Sequence, residues 1–110
     1  MNELNVTSEE DSYTSISNNF IEYFMTDANG DFVKLYLYLA MLCESGKPIS
    51  VSKMADQLNC TEKDICRGIK YWIKEDVLRL YYNEDKEATG IVLKKLKKPD
   101  LDIASDLKVV

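Results

Sequence analysis

The 110-residue chain contains no histidine, and this absence removes the usual general base of enzymes. Catalysis by a Ser-His or Cys-His pair is therefore excluded. Only four glycines are present, and none of them belongs to a glycine-rich phosphate-binding loop. Since no other catalytic motif occurs, we expect a protein that is not an enzyme and that uses no cofactor.

Cysteine is scarce as well, and its spacing does not suit a metal. Cys43, Cys60 and Cys66 form no C-x-x-C pair, so that a zinc site would need unusual ligands in a chain without histidine. All three lie in or beside apolar helical patterns. Free cysteine usually behaves as a small buried hydrophobe. We therefore expect three reduced thiols in the core.

Long hydrophobic runs are missing too. The longest, Leu35 to Cys43, has roughly half the length that a membrane-spanning helix needs. The N-terminal stretch MNELNVTSEEDS is acidic and lacks the basic-then-apolar plan of a signal peptide. The sequence therefore predicts a cytoplasmic protein without a membrane span.

Positive charge is absent from the first part of the chain. Residues 1–31 carry seven acids and no bases, whereas residues 32–82 carry eight bases and six acids. The net charge of the whole chain is −5. A globally acidic protein attracts nucleic acid poorly, so any DNA contact must come from a local basic patch.

The polar residues 1–16 have no periodic pattern, and we expect a flexible acidic tail. The next segment, NNFIEYFM, predicts a short helix capped by Ser17. Phe20, Ile21 and Phe24 would share one face of this helix. The helix is expected to end before a turn at residues 27–30.

The following segment, DFVKLYLYLAMLCES, predicts a helix that Asn29 caps and Gly46 ends. Its surface is apolar almost all the way round, whereas a helix with one side exposed to solvent would show a polar face. In so small a domain, this predicts burial against a second subunit or the N-terminal arm. The alternative is a central core helix wrapped by its own domain. The residues assigned to self-association are Phe32, Val33, Tyr36, Leu37 and Met41.

A helix-turn-helix follows. Ser50 or Ser52 caps a short helix whose apolar residues face inward. After a turn at residues 59–60, Thr61 and Asp64 form an approximate capping box for a longer helix over residues 62–75. A short helix, a tight turn and a longer amphipathic helix are the parts of this motif.

Two strands complete the fold. Residues 77–82 and 91–96 are rich in strand formers, and the polar loop 83–90 between them ends in a glycine suited to a turn. We therefore predict an α+β, mostly helical domain over residues 17–98. It would be a winged helix-turn-helix of three to four helices and a small antiparallel β-hairpin wing.

Helix 62–75 carries four positive side chains within an arc of about 60° on the side away from its apolar face. They are Lys63, Arg67, Lys70 and Lys74. Their like-charge i,i+4 pairs each destabilise the helix by about 0.2–0.5 kcal/mol, so stability alone does not explain the pattern. In a helix-turn-helix, the second helix enters the major groove, and Arg67 is the best candidate for a bidentate contact. The alternative is a solvated face.

The wing argues against DNA binding. Its loop, residues 83–87, carries three acids and one base, a net charge of −2 that repels phosphates. Lys94 and Lys95 are further candidates for DNA contact, although they lie at the end of a strand rather than at the tip. The sequence alone thus favours weak nonspecific DNA binding over autonomous sequence-specific recognition.

The chain resembles a known family over about residues 17–96. The order SNNFIEYFM, DANGDFVKLYLYLAMLCESG and PISVSKMADQLNCTEKDICRGIKYWIKEDVLRLYY is similar to the N-terminal domain of DnaD-like replication proteins of Gram-positive bacteria. The resemblance implies an oligomerisation and partner-binding module in primosome assembly. Most of the DNA binding would belong to a second, helical domain, and residues 99–110 would be the linker to it.

Two functions therefore compete. The first is an assembly module of a DnaD-like replication-initiation protein that forms homo-oligomers and binds other initiation proteins. Such a module would make at most weak contact with double- or single-stranded DNA. The alternative is a phage or bacterial transcription regulator of the winged-helix type that uses the basic face of helix 62–75.

Overall fold

The computed structural model describes residues 3–7 and 12–99. In this part of the chain, a short π-helix, Phe20–Phe24, precedes three α-helices and two strands. The α-helices are α1 (Gly30–Ser45), α2 (Val51–Leu58) and α3 (Glu62–Lys74), and the strands are β1 (Leu78–Tyr82) and β2 (Ala88–Leu93). The two strands form an antiparallel hairpin after the helix-turn-helix. The predicted α+β winged-helix fold class is confirmed.

Side-chain caps set the helix boundaries. The N–H of Asp31 donates to Oδ1 of Asn29 over 2.8 Å at the start of α1, and the N–H of Lys53 donates to Oγ of Ser50 over 3.1 Å at the start of α2. Each bond satisfies one of the N–H groups that a helix start leaves without an intrahelical partner. At the end of α1, Gly46 has φ of 67°, a left-handed conformation that glycine adopts without steric cost. Of the two predicted caps of α2, Ser50 is the one used.

The turn of the helix-turn-helix is fixed by Asn59, which has φ of 55°. Asparagine tolerates this left-handed region better than most residues. The next helix starts with a complete capping box. The N–H of Asp64 donates to Oγ1 of Thr61 over 3.0 Å, and the N–H of Thr61 donates to Oδ2 of Asp64 over 3.1 Å. The predicted capping box is confirmed.

The wing differs from its prediction in the bounds of its second strand. Strand β2 begins at Ala88 instead of residue 91, and Gly90 lies inside it, opposite Tyr81. The expected role of Gly90 in the turn was therefore wrong. The turn is tighter, because Lys86 takes the left-handed conformation at φ of 62° and its N–H donates to the carbonyl oxygen of Asn83 over 3.0 Å.

An aromatic cluster forms the centre of the core. The rings of Phe20 and Tyr36 stack with centroids 3.8 Å apart, and the indole of Trp72 lies against both. Trp72 and Phe20 are fully buried. The indole N–H of Trp72 donates to the carbonyl oxygen of Phe32 over 2.7 Å, which joins α3 to α1 and satisfies the polar atom of a buried ring.

Gly68 lets α1 approach α3 closely. A Cβ atom at this position would lie 2.5 Å from Cδ2 of Leu35 and 3.2 Å from Cδ1 of Phe32. Gly68 is buried, although it stands in the middle of a helix, where glycine costs about 1 kcal/mol relative to alanine. The close helix contact explains a glycine at this point.

Segments outside the helices and strands also belong to the domain. The N–H of Ser15 donates to Oε1 of Glu44 over 3.0 Å, and Ile16 packs against the core. Hence the part of the predicted tail just before residue 17 contacts the domain. At the other end, Leu96 is buried, and Nδ2 of Asn19 donates to its carbonyl oxygen over 2.9 Å. The expected linker, residues 99–110, lies outside the described residues apart from Pro99.

Two burial predictions were wrong. Ile21 is 42% exposed, because the π-helix turns only Phe20 fully inward. All three cysteines are free thiols, but Cys43 and Cys66 are exposed and Cys60 is only partly buried. On α3 the buried residues centre on Ile65 and Trp72, and Cys66 lies about 110° from that centre. Cys66 is thus at the edge of the apolar face and not within it.

Candidate interaction surfaces

The four cations of α3 share one exposed surface, the basic ridge, formed by Lys63, Arg67, Lys70 and Lys74. The opposite side of α3 is buried through Ile65, Ile69 and Trp72. None of the four cations forms an ion pair with another described residue, since Lys94–Asp76 is the one ion pair in that part of the chain. Four uncompensated charges on one helix face are therefore available to an anionic partner.

Asp64 lies at the N-terminal end of the basic ridge, but its carboxylate is already engaged. The pKa of Asp64 is lowered mainly by the hydrogen bond from the backbone N–H of Thr61, and then by the Thr61 hydroxyl. The positive charges of Arg67 and Lys63 lower this pKa further. Hence Asp64 serves the helix cap as an anion and also attracts Arg67 and Lys63, but it is one negative charge beside four positive ones.

The other two predicted DNA contacts differ from the ridge. Lys94 is half-buried and forms an ion pair with Asp76 just after α3. Lys95 is exposed in the segment that leads to the buried Leu96. The structure therefore keeps Lys95 accessible, whereas a phosphate would have to compete with Asp76 for Lys94.

A groove of about 390 Å³ separates α3 from the wing. Its floor is apolar and includes Ile69, Ile73, Leu80 and Ile91. Lys70 lines the side of α3, and Ala88 and Thr89 line the side of the wing. We call this space the α3–wing groove. Lys70 is the only residue of the basic ridge that lines it.

The predicted self-association residues fall into three groups. Tyr36 is buried in the core of its own domain, where its ring stacks on Phe20, and burial raises the pKa of its hydroxyl. Phe32 and Val33 are partly buried against the core. Leu37 and Met41 are 43% and 42% exposed on the outer side of α1. The assignment of Tyr36 to a contact surface was therefore wrong, while Leu37 and Met41 form an exposed apolar pair.

The wing carries two exposed aromatic residues that the sequence did not single out. Tyr81 is 57% and Tyr82 is 60% exposed on β1, and the guanidinium of Arg79 lies 5.6 Å from the centre of the Tyr81 ring. Both tyrosines lie in the predicted strand 77–82, but the alternation of apolar and polar residues did not predict which face of the hairpin is exposed to solvent. Tyrosine and arginine are enriched where proteins contact each other.

Two kinds of feature are absent from residues 3–7 and 12–99. Neither the helix α1 nor any other described helix is long and apolar enough to cross a membrane. Within the same ranges, no group of three or more histidine, cysteine, aspartate or glutamate side chains is arranged to hold a metal ion.

Comparisons with protein-family models, with curated proteins and with solved structures found no match to this chain.

Proposed function

We propose that the chain is a non-enzymatic assembly module of a DnaD-like replication-initiation protein, one that self-associates and binds other initiation proteins. The observation that carries self-association is the exposed apolar pair on α1, Leu37 and Met41. These side chains follow each other at i,i+4 spacing and therefore lie side by side on the helix. Burial of such a pair against a second copy would remove apolar surface from water. The assignment to DnaD-like proteins rests on the sequence resemblance.

The test of self-association compares the wild-type chain with the double variant Leu37→Glu/Met41→Glu by sedimentation equilibrium. We expect the wild type to exceed its monomer mass of 12.6 kDa as its concentration rises. The double variant should remain at the monomer mass, because two carboxylates would be buried without partners in the contact. Lys53→Glu, at an exposed position of α2, is the control for added negative charge and should associate like the wild type. Equal association of all three proteins would contradict the proposal.

The second candidate function is DNA binding by the basic ridge, and the exposed and unpaired cations of α3 favour it. Its test is a fluorescence-anisotropy titration against a short random duplex at about 50 mM and about 200 mM salt. Binding through the ridge should weaken steeply with salt, because cations that contact phosphates release counterions.

Arg67→Glu separates this binding from effects on the fold. Arg67 is exposed, so the variant should fold normally and lose the DNA binding. Absence of binding by the wild type even at low salt would leave the ridge as a protein-facing or solvated surface. An unfolded Arg67→Glu variant would mean that the residue has a structural role that its exposure does not indicate.

A further inference from the structure

The wing ends in a rigid acidic turn, Asn83–Glu87, which we call the acidic tip. All five of its residues are exposed, and its three acids and one base give it a net charge of −2. The N–H of Asn83 donates to the carbonyl oxygen of Glu87 over 2.9 Å, and the N–H of Glu87 donates to Oδ1 of Asn83 over 2.9 Å. Because these bonds hold the backbone of the tip, the loop needs little further ordering of its backbone when a partner binds.

The basic ridge and the acidic tip do not neutralise each other within one molecule. Lys70 is the one ridge residue that lines the α3–wing groove, and the lining on the side of the wing begins at Ala88, directly after the tip. Neither Arg67 nor Lys70 forms an ion pair with a described residue, nor do the acids of the tip. Each molecule thus presents two charged surfaces of opposite sign, and both lack a partner.

We propose that the acidic tip of one copy docks on the basic ridge of a second copy. The tip and the ridge are different surfaces, so the contact is heterologous and lets copies add head to tail. Tyr82, 60% exposed directly before the tip, supplies an aromatic ring that the guanidinium of Arg67 in the other copy can cover. A nucleic acid complements only the ridge, because the acidic tip repels phosphates.

This inference rests on the proposed self-association. Exposed ion pairs attract weakly on their own. A dimer formed through α1 would present two tips and two ridges, so that each further contact gains from the contact already made. The apolar pair on α1 would then form the dimer, and the tip and ridge would extend it.

The experiment is sedimentation velocity of the full chain and of three double variants at low salt. The ridge variant is Arg67→Glu/Lys70→Glu, and the tip variant is Glu84→Lys/Glu87→Lys. The control, Lys47→Glu/Lys53→Glu, changes the net charge as much as the ridge variant does, but at exposed positions on the loop before α2 and on α2. Circular dichroism confirms the fold of each protein before it is compared.

We expect the wild type and the control to form species larger than a dimer. The ridge variant alone and the tip variant alone should lose these species, with association weakened by about tenfold or more. An equimolar mixture of the ridge and tip variants should regain them, because the unchanged acidic tip of the ridge variant can dock on the unchanged basic ridge of the tip variant. Moderate salt should weaken all of these contacts.

Several outcomes would overturn the proposal. A mixture that stays as small as its separate components would do so, and so would a control that loses as much association as the ridge variant. Dimers of the wild type without any larger species would overturn the tip–ridge contact and leave the α1 contact standing. Conversely, if Leu37→Glu/Met41→Glu still forms dimers, the proposed contact through α1 fails while the charge variants test the tip and ridge separately.

Discussion

Gly68 is the residue at which helix propensity and packing oppose each other. Alanine would gain about 1 kcal/mol of helix propensity at this position. Its Cβ, however, would lie 2.5 Å from Cδ2 of Leu35, a side chain that is itself 2% exposed and has little room to move. The helix that approaches Gly68 so closely is α1, which carries Leu35 and Phe32.

We predict that Gly68→Ala destabilises the domain by about 1 kcal/mol, because overpacking costs of about 1–3 kcal/mol exceed the gain in propensity. Urea unfolding followed by circular dichroism measures the difference. Gly30→Ala is the matched control, since Gly30 begins α1 and a Cβ there would have no atom within 4 Å. A Gly68→Ala variant as stable as the Gly30→Ala variant would mean that Leu35 moves aside freely.

At the scale of the elements, local chemistry made the boundaries predictable. A cap depends on a side chain and a backbone group a few residues apart, so Asn29, Ser50 and the pair Thr61–Asp64 could be recognised from sequence. The start of the second strand of the wing could not be recognised in this way. It depends on a turn in which Lys86 adopts positive φ, a conformation that glycine favours, and the sequence pointed to Gly90 instead.

Asp64 carries a prediction about pH. Its folded pKa is lowered, so ionised Asp64 stabilises the domain above its ordinary pKa near 3.8, and this stability is lost as the pH falls through the lowered value. We expect Asp64→Asn to be less stable than the wild type near neutral pH. As the pH falls below the ordinary pKa near 3.8 and then through the lowered one, the difference should shrink, because a protonated carboxyl resembles an amide. Thermal unfolding of both proteins from neutral to acidic pH measures this difference in stability. A difference that does not change with pH would contradict the stabilising role of ionised Asp64.

At the scale of the whole molecule, contacts between distant segments determine which side chains of α1 are buried, and the sequence alone did not predict this. Tyr36 and Leu37 are neighbours in an apolar helix, but the π-helix covers Tyr36 with Phe20 and leaves Leu37 exposed. Periodicity within α1 contains no information about which neighbour will cover which side. Exposure on α3 was easier to predict, because the spacing of its charged and apolar residues places them on opposite sides of the helix. All four ridge cations are exposed, as that pattern predicts.

The arrangement of charge is also a property of the whole molecule. The basic ridge lies on α3, whereas the acidic tip lies in the loop between the two strands of the wing. Composition alone, with a net charge of −5, describes only an acidic protein. It is the fold that separates the two signs into distinct surfaces.

The most direct test of the proposed function is the mass of the wild-type chain at equilibrium, measured by sedimentation from about 1 µM to about 100 µM. If the domain self-associates, its mean mass will rise from 12.6 kDa toward at least twice that value as the concentration increases. A mass that stays at 12.6 kDa over the whole range would contradict an assembly module.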